Sequence, residues 1–199
     1  MRRTIPPVTR LLILANVAVF GLELLRGDRF VDTFALWPLG RHFHTWQLVT
    51  HAFLHGSSAH LFFNMFALYM FGGELERVFG PRRYLEYYMV AVITAGATQL
   101  VAMSATHGPV YPTVGASGGV FGLLLAFGVL FPRRMLVLIF PPIPMPAWLF
   151  VTLYGLIELY LGITGTQMGV AHFAHLGGML GGGLLLHRWR RQALEADEP

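Results

Sequence analysis

Six long apolar stretches, each near the ~20 residues that a helix needs to cross ~30 Å of hydrocarbon, leave this chain little choice of solvent. They run from about Thr9 to Leu25, Ser58 to Phe79, Tyr84 to Ser104, Gly115 to Phe131, Pro146 to Thr164 and Val170 to His187. Hydrophobic residues make up 55% of the chain and charged residues 12%, about half the charged share of a soluble domain. The expectation is an all-α polytopic membrane protein, with six transmembrane helices forming one domain over residues 1–199. No small-x-small cleavage pattern follows the first stretch, so it is expected to stay as a helix rather than leave as a secretory signal. The polar tail from Glu195 to Pro199 is expected to be disordered.

All fourteen basic residues are Arg, and their placement orients the bundle. Arg2, Arg3, Arg10, Arg77, Arg82, Arg83, Arg133, Arg134, Arg188, Arg190 and Arg191 fall on one side of a six-helix serpentine, and only Arg26, Arg29 and Arg41 on the other. The positive-inside rule then puts both termini in the cytoplasm. The long connection from Arg26 to Ser57, rich in aromatics, His and Gly, faces outward; its length without a clean helical period suggests function. A net charge of +4 raises the question of nucleic acid, but no basic stripe interleaves with aromatics. The expected partner is the lipid bilayer, with no nucleic acid.

Ionisable and strongly hydrogen-bonding side chains are expensive inside a membrane, so each marks a possible site. The apolar stretches contain His60, Asn64, Gln99, Ser117, Glu158, His172 and His175. In the serpentine, stretches two, four and six run in the same direction, and His60, Ser117 and His175 each lie within the first two turns. At ~1.5 Å per residue, all three sit less than ~10 Å below the outer helix ends.

Ser117 lies in Gly115-Ala116-Ser117-Gly118-Gly119, whose small side chains let a substrate backbone approach. The unpaired N–H groups and positive dipole end of a helix starting there favour an oxyanion beside the hydroxyl. A small-residue patch for tight helix packing explains the same residues without chemistry. His175 precedes Gly177, Gly178, Gly181 and Gly182, whose spacing allows close approach to a neighbouring helix; if that neighbour is the fourth, His175 reaches Ser117. A packing seam with an incidental histidine is the alternative. His60 and Asn64, four apart, share one helical face. They suit an oxyanion hole, where losing one donor commonly costs ~10²–10³ in rate, or equally an interhelical polar clasp.

Elimination narrows the chemistry. There is no Cys, no His-Glu-x-x-His, and no Asp within an apolar stretch, since Asp28, Asp32 and Asp197 all lie outside. Thiol, zinc-protease and paired-aspartate mechanisms are thereby removed, which leaves a serine mechanism. With no membrane Asp beside His175, a Ser–His dyad is expected rather than a triad. The spacing does not place Glu158 opposite His175, and a clasp on a neighbouring helix is the other role for it. Two further readings stand beside this one: a metal or haem site built from His42, His44, His51, His55, His60, His172 and His175, and a catalytically silent binder of membrane proteins.

These motifs, taken in order from about Thr9 to Leu186, resemble the rhomboid family of intramembrane serine proteases. Gly115-Ala116-Ser117-Gly118 looks like the family's GxSG nucleophile motif, Ala174-His175-Leu176-Gly177-Gly178 its histidine motif, and His60-Leu61-Phe62-Phe63-Asn64 its HxxxN oxyanion element. His51, His55 and Gly72-Gly73-Glu74-Leu75-Glu76 resemble its further signatures. The resemblance implies a six-helix rhomboid-like bundle with an outward-opening aqueous cavity, no cofactor, and transmembrane protein substrates cut near the outer face. Gly115, Gly118 and Phe121 would support the site. Two departures stand out. Trp46-Gln47 replaces the family's frequent Trp-Arg, which puts an arginine contribution in doubt. Phe121 stands where the family often has Tyr stacked on the imidazole; a phenyl ring can keep such a stack but not a phenol hydrogen bond.

Overall fold

The computed structural model describes residues 4–105, 111–138, 142–166 and 169–196. Helix α1 (Pro7–Arg26) starts with proline in its first turn and stops at Gly27, whose φ of 65° suits glycine. The connection that follows is more ordered than its sequence suggests, with short helices α2 (Asp28–Phe34) and α3 (Gln47–Thr50) and a 3₁₀ turn at His51–Phe53. The second apolar stretch is broken into α4 (Ser58–Ala67), a π turn at Leu68–Gly72 and α5 (Gly73–Phe79). Then come α6 (Pro81–Ala105), α7 (Ser117–Leu130), α8 (Ala147–Thr164) and α9 (His172–Ala196). Helix α9 runs well past His187, through Glu195 of the tail expected to be disordered; residues 197–199 lie outside the described residues.

The all-α expectation holds, with one small addition. Between α7 and α8, β1 (Met135–Val137) pairs antiparallel with β2 (Pro144–Pro146). Prolines at 142, 144 and 146 cannot donate to a helical ladder and favour extended backbone, so the segment forms an edge ribbon instead.

Helices α1, α6 and α8 are each long and apolar enough to cross a membrane. Helix α7 is not: its 14 residues extend only about 21 Å, so its two ends cannot both reach the surfaces of a ~30 Å apolar layer. Nine of those residues are buried, because α7 runs through the middle of the bundle. On one side lie the buried rings of Tyr84, Tyr87 and Tyr88 on α6, with the Tyr87 hydroxyl donating to the Gly122 carbonyl at 2.8 Å. On the other lies α9. Its glycines approach both neighbours: a Cβ at Gly178 would strike the Gly118 carbonyl oxygen, while Gly177 and Gly181 face Thr98 and Thr94 and Gly182 faces Tyr87. The small-residue spacing thus fits α9 into the groove between α6 and α7, not against α7 alone.

Helix α5, which directly precedes α6, holds the start of α1. The buried Glu76 carboxylate accepts from Val8 N at 2.9 Å, Thr9 N at 2.7 Å and Thr9 Oγ1 at 2.8 Å. The two N–H donors belong to the first turn, where no helical carbonyl can reach them. Glu76→Ala is expected to lower stability by about 2–3 kcal/mol, because buried donors lose a charged acceptor. Glu74→Ala, which removes partly exposed ion pairs with Arg77 and Arg134 at 3.7 and 3.6 Å, should cost less than about 1 kcal/mol. Thermal unfolding of the two variants in the same lipid or detergent checks the ordering.

Candidate active site

Ser117 is the first residue of α7, and the chain reaches it through Gly115, whose φ of 125° excludes other L residues. The Gly115 N–H donates to the His51 carbonyl at 2.9 Å, which ties the approach to Ser117 to the first connection. His175, in the first turn of α9, meets it: His175 Nε2 lies 2.7 Å from Ser117 Oγ. The Phe121 ring, one turn after Ser117, stacks on the imidazole at 4.2 Å and 4°. Gly118 keeps α7 and α9 close enough for this contact, through the approach of Gly178.

His175 has a second partner that the sequence did not place. Its Nδ1 lies 2.8 Å from Glu158 Oε2, and the same oxygen is 2.6 Å from His172 Nδ1. All three side chains are buried. Glu158, whose facing the spacing left open, therefore faces His175, and it clasps α8 to α9 in the same contact. The signal lay in the helix hairpin: Glu158 is seven residues before the left-handed Gly165 that ends α8, and His172 is seven after it. Antiparallel helices joined there bring equidistant residues to one level, but only the packing decides which faces meet.

His60 and Asn64 on α4 line the same cavity as Ser117 and His175. That cavity, about 1150 Å³, passes between α4 and α8, with Phe63 on one wall and Phe150 and Tyr154 on the other. The His60 ring lies over Gly115, where an added Cβ would come within 2.7 Å of its Cε1. The His55 ring backs it edge-on at 5.0 Å. Asn64 Nδ2 donates to the His60 carbonyl at 3.1 Å, so one of its amide hydrogens is engaged within its own helix. The structure brings four candidate residues around one cavity, with the direct contact between Ser117 and His175.

The first connection is held by a buried amide. Gln47 Oε1 accepts from His44 N at 3.1 Å and Trp37 N at 3.4 Å, while Nε2 donates to the carbonyls of His42 at 3.0 Å and Thr33 at 3.3 Å. An amide both accepts and donates here, which a guanidinium could not. His51 Nδ1 donates to the Gln47 carbonyl at 2.7 Å, and the His55 N–H donates to Glu23 Oε1 at 3.0 Å. Burial pushes both imidazoles down to about 4, aided at His55 by the nearby His60. Because these groups charge more readily in the unfolded chain, their contribution to stability is complete above about 6.5 and is lost as pH falls toward 4. The thermal midpoint is expected to drop across that window, and less steeply in His51→Phe.

The seven-histidine metal reading does not assemble. His42 and His44 are exposed and lie against Trp37 and Trp46. Among the described residues, the donors that converge are Glu158, His172 and His175.

The fold and site together describe an integral membrane helical bundle with a serine–histidine pair sunk in its middle. A model of the rhomboid domain matches residues 42–191, and the chain belongs to the rhomboid family. It is 32% identical over 179 residues to Rhomboid protein 1, mitochondrial, of Saccharomyces cerevisiae, covering 87% of this chain and 50% of that protein. It is 29% identical over 194 residues to Rhomboid protease GlpG of Yersinia pestis, covering 95% of this chain and 64% of the relative. The chain thus spans between half and two thirds of the length of these relatives.

Proposed function

We propose that this protein is an intramembrane serine endopeptidase that cuts transmembrane segments of other membrane proteins near their outer boundary. The observation that carries the reading is the 2.7 Å contact between Ser117 Oγ and His175 Nε2 at the head of a buried, glycine-flanked helix. Membership of a family whose relatives include a named protease adds to it. His175 takes the Ser117 proton as Oγ bonds to the scissile carbonyl carbon. The resulting oxyanion is held by His60, Asn64 and the Ser117 N–H. His175 then returns the proton to the leaving amine, and water attacks the acyl-enzyme with the same base.

This chemistry needs water, so the cavity opens to the outer face of a six-span bundle; the arginine placement supports cytoplasmic termini, and a compact chain whose basic residues are all Arg suits a bacterial cell membrane. Phe150 and Tyr154 line the cavity from α8 and Trp148 is exposed on the same helix, which favours α8 over the first connection as the wall that yields to a substrate. No step of this reaction uses a metal or cofactor.

The test is cleavage of a single-span membrane protein by the purified chain in liposomes containing chelator. Wild type should cut, and His175→Ala should not. A wild type that binds the span but never cuts it makes the chain a silent binder. Phe121→Ala should lower kcat about tenfold, since an aromatic stack of ~0.5–1.5 kcal/mol corresponds to up to that factor. Phe121→Tyr should stay within about threefold in the same assay.

A further inference from the structure

We propose that Glu158 is a positioning residue for the reaction, holding the His175 ring so that Nδ1 carries the proton and Nε2 faces Ser117 bare. This rests on the reading that Ser117 and His175 cut peptide bonds. Nε2 can accept the Ser117 proton only if the neutral imidazole has its own proton on Nδ1. A carboxylate oxygen at 2.8 Å from Nδ1 accepts and cannot donate, so it selects that tautomer. A carbonyl could do as much; a carboxylate also supplies a negative charge where the imidazolium forms.

His172 determines whether that charge is free for this use. Its Nδ1 donates to the same Oε2 at 2.6 Å, while its Nε2 is buried without a hydrogen-bond partner among the described residues. An imidazolium there would bury an unmatched N–H donor, so His172 is a neutral donor that orients the carboxylate without cancelling its charge. When Ser117 Oγ bonds to the substrate carbon, its proton moves to His175 Nε2, and the cation is formed beside Glu158. The carboxylate stays ionised throughout, and the same proton later leaves on the product amine.

The same three side chains are also the cluster able to ligate a divalent cation. The geometry disfavours it: donors around a tetrahedral zinc, at ~2.0–2.1 Å bonds, sit about 3.3 Å apart, whereas here both nitrogens lie 2.6 and 2.8 Å from one oxygen. Those are distances for N–H groups donating to a carboxylate.

The experiment uses the full chain in lipid and two readouts. In kinetics, Glu158→Gln should lower kcat about 10²–10³-fold, within the range for an assisted general base, with KM changed less than about threefold. A glutamine can turn its NH₂ to Nδ1 and drive the proton onto Nε2, the wrong side. Glu158→Asp, which keeps the charge, should recover part of the loss. Glu158→Gln with kcat within threefold of wild type overturns the proposal, as does an equal loss in Asp and Gln variants that unfold no earlier than wild type.

The second readout needs no activity and no change at Glu158. In ¹⁵N-histidine-labelled wild type, assigned by comparison with His175→Ala, Nδ1 of His175 should be protonated and Nε2 not. The reverse tautomer overturns the proposal, and so does a deprotonated Nδ1 that regains its proton on adding chelator. A wild type that shows the expected tautomer but cuts nothing would refute the protease reading while leaving the Glu158 contact to His175 established.

Discussion

Ser117→Ala is expected to reduce cleavage by about 10⁴-fold or more, leaving binding intact. The size follows from what remains. Without Oγ, no acyl-enzyme can form, and the chain has no Cys to replace it. His175 would have to direct water at a peptide bond unaided, and the oxyanion donors would still act. In serine proteases generally, such remnants retain ~10³–10⁴ over the uncatalysed rate, far below the intact enzyme. Overnight cleavage of a membrane-span substrate in liposomes, read by mass spectrometry, gives the range needed. A single covalent adduct of wild type with a fluorophosphonate should map to Ser117 and vanish in the variant. Residual cleavage above about 1% of wild type would mean that another residue is the nucleophile.

Gly178→Val should be nearly as damaging, by a different route. A Cβ at position 178 overlaps the Gly118 carbonyl oxygen, a backbone atom of the residue after Ser117. Backbone cannot turn aside, so α9 must move away from α7. Overpacking of this kind typically costs 1–3 kcal/mol, and sites without a flexible neighbour cost more. Any molecules that remain folded carry His175, one turn earlier, away from its 2.7 Å contact with Ser117. A displacement near 1 Å costs about 10²-fold in rate. Activity should therefore fall at least 10²-fold even after correction for the folded fraction. Gly21→Ala is the control: nothing lies within 4 Å of a Cβ there, and alanine favours a helix by about 1 kcal/mol over glycine. It should be neutral or stabilising. Thermal unfolding and cleavage measured on the same preparations separate the two effects, and a Gly178→Val protein as stable and active as wild type would refute the packing argument.

Much of this was legible because the bilayer constrains both composition and pattern. The apolar stretches anticipated helices at Pro7–Arg26, Pro81–Ala105, Ser117–Leu130 and Ala147–Thr164 within a few residues. Ser117 and His175 were suggested by residues rare in such stretches, each beside glycines that permit close approach. Less legible were features set by hydrogen bonds rather than by hydropathy. The π turn at Leu68–Gly72 adds a residue to a run whose apolar character does not change. The proline hairpin gave no alternating pattern across its three-residue strands.

The sequence by itself determined the solvent, the helices and the short list of side chains that could do chemistry, since each follows from local composition and from the cost of polar groups in hydrocarbon. Only the tertiary structure decided which of these side chains meet. Glu158 joins His172 and His175 because α8 and α9 pack with particular faces together. Gln47 knits the first connection because four backbone groups, distant by up to 14 residues, converge on one amide. Rotation of a helix about its axis by a fraction of a turn leaves its hydropathy almost unchanged but changes such partners entirely. That rotation is set by where Gly118 and Gly178 allow backbones to touch.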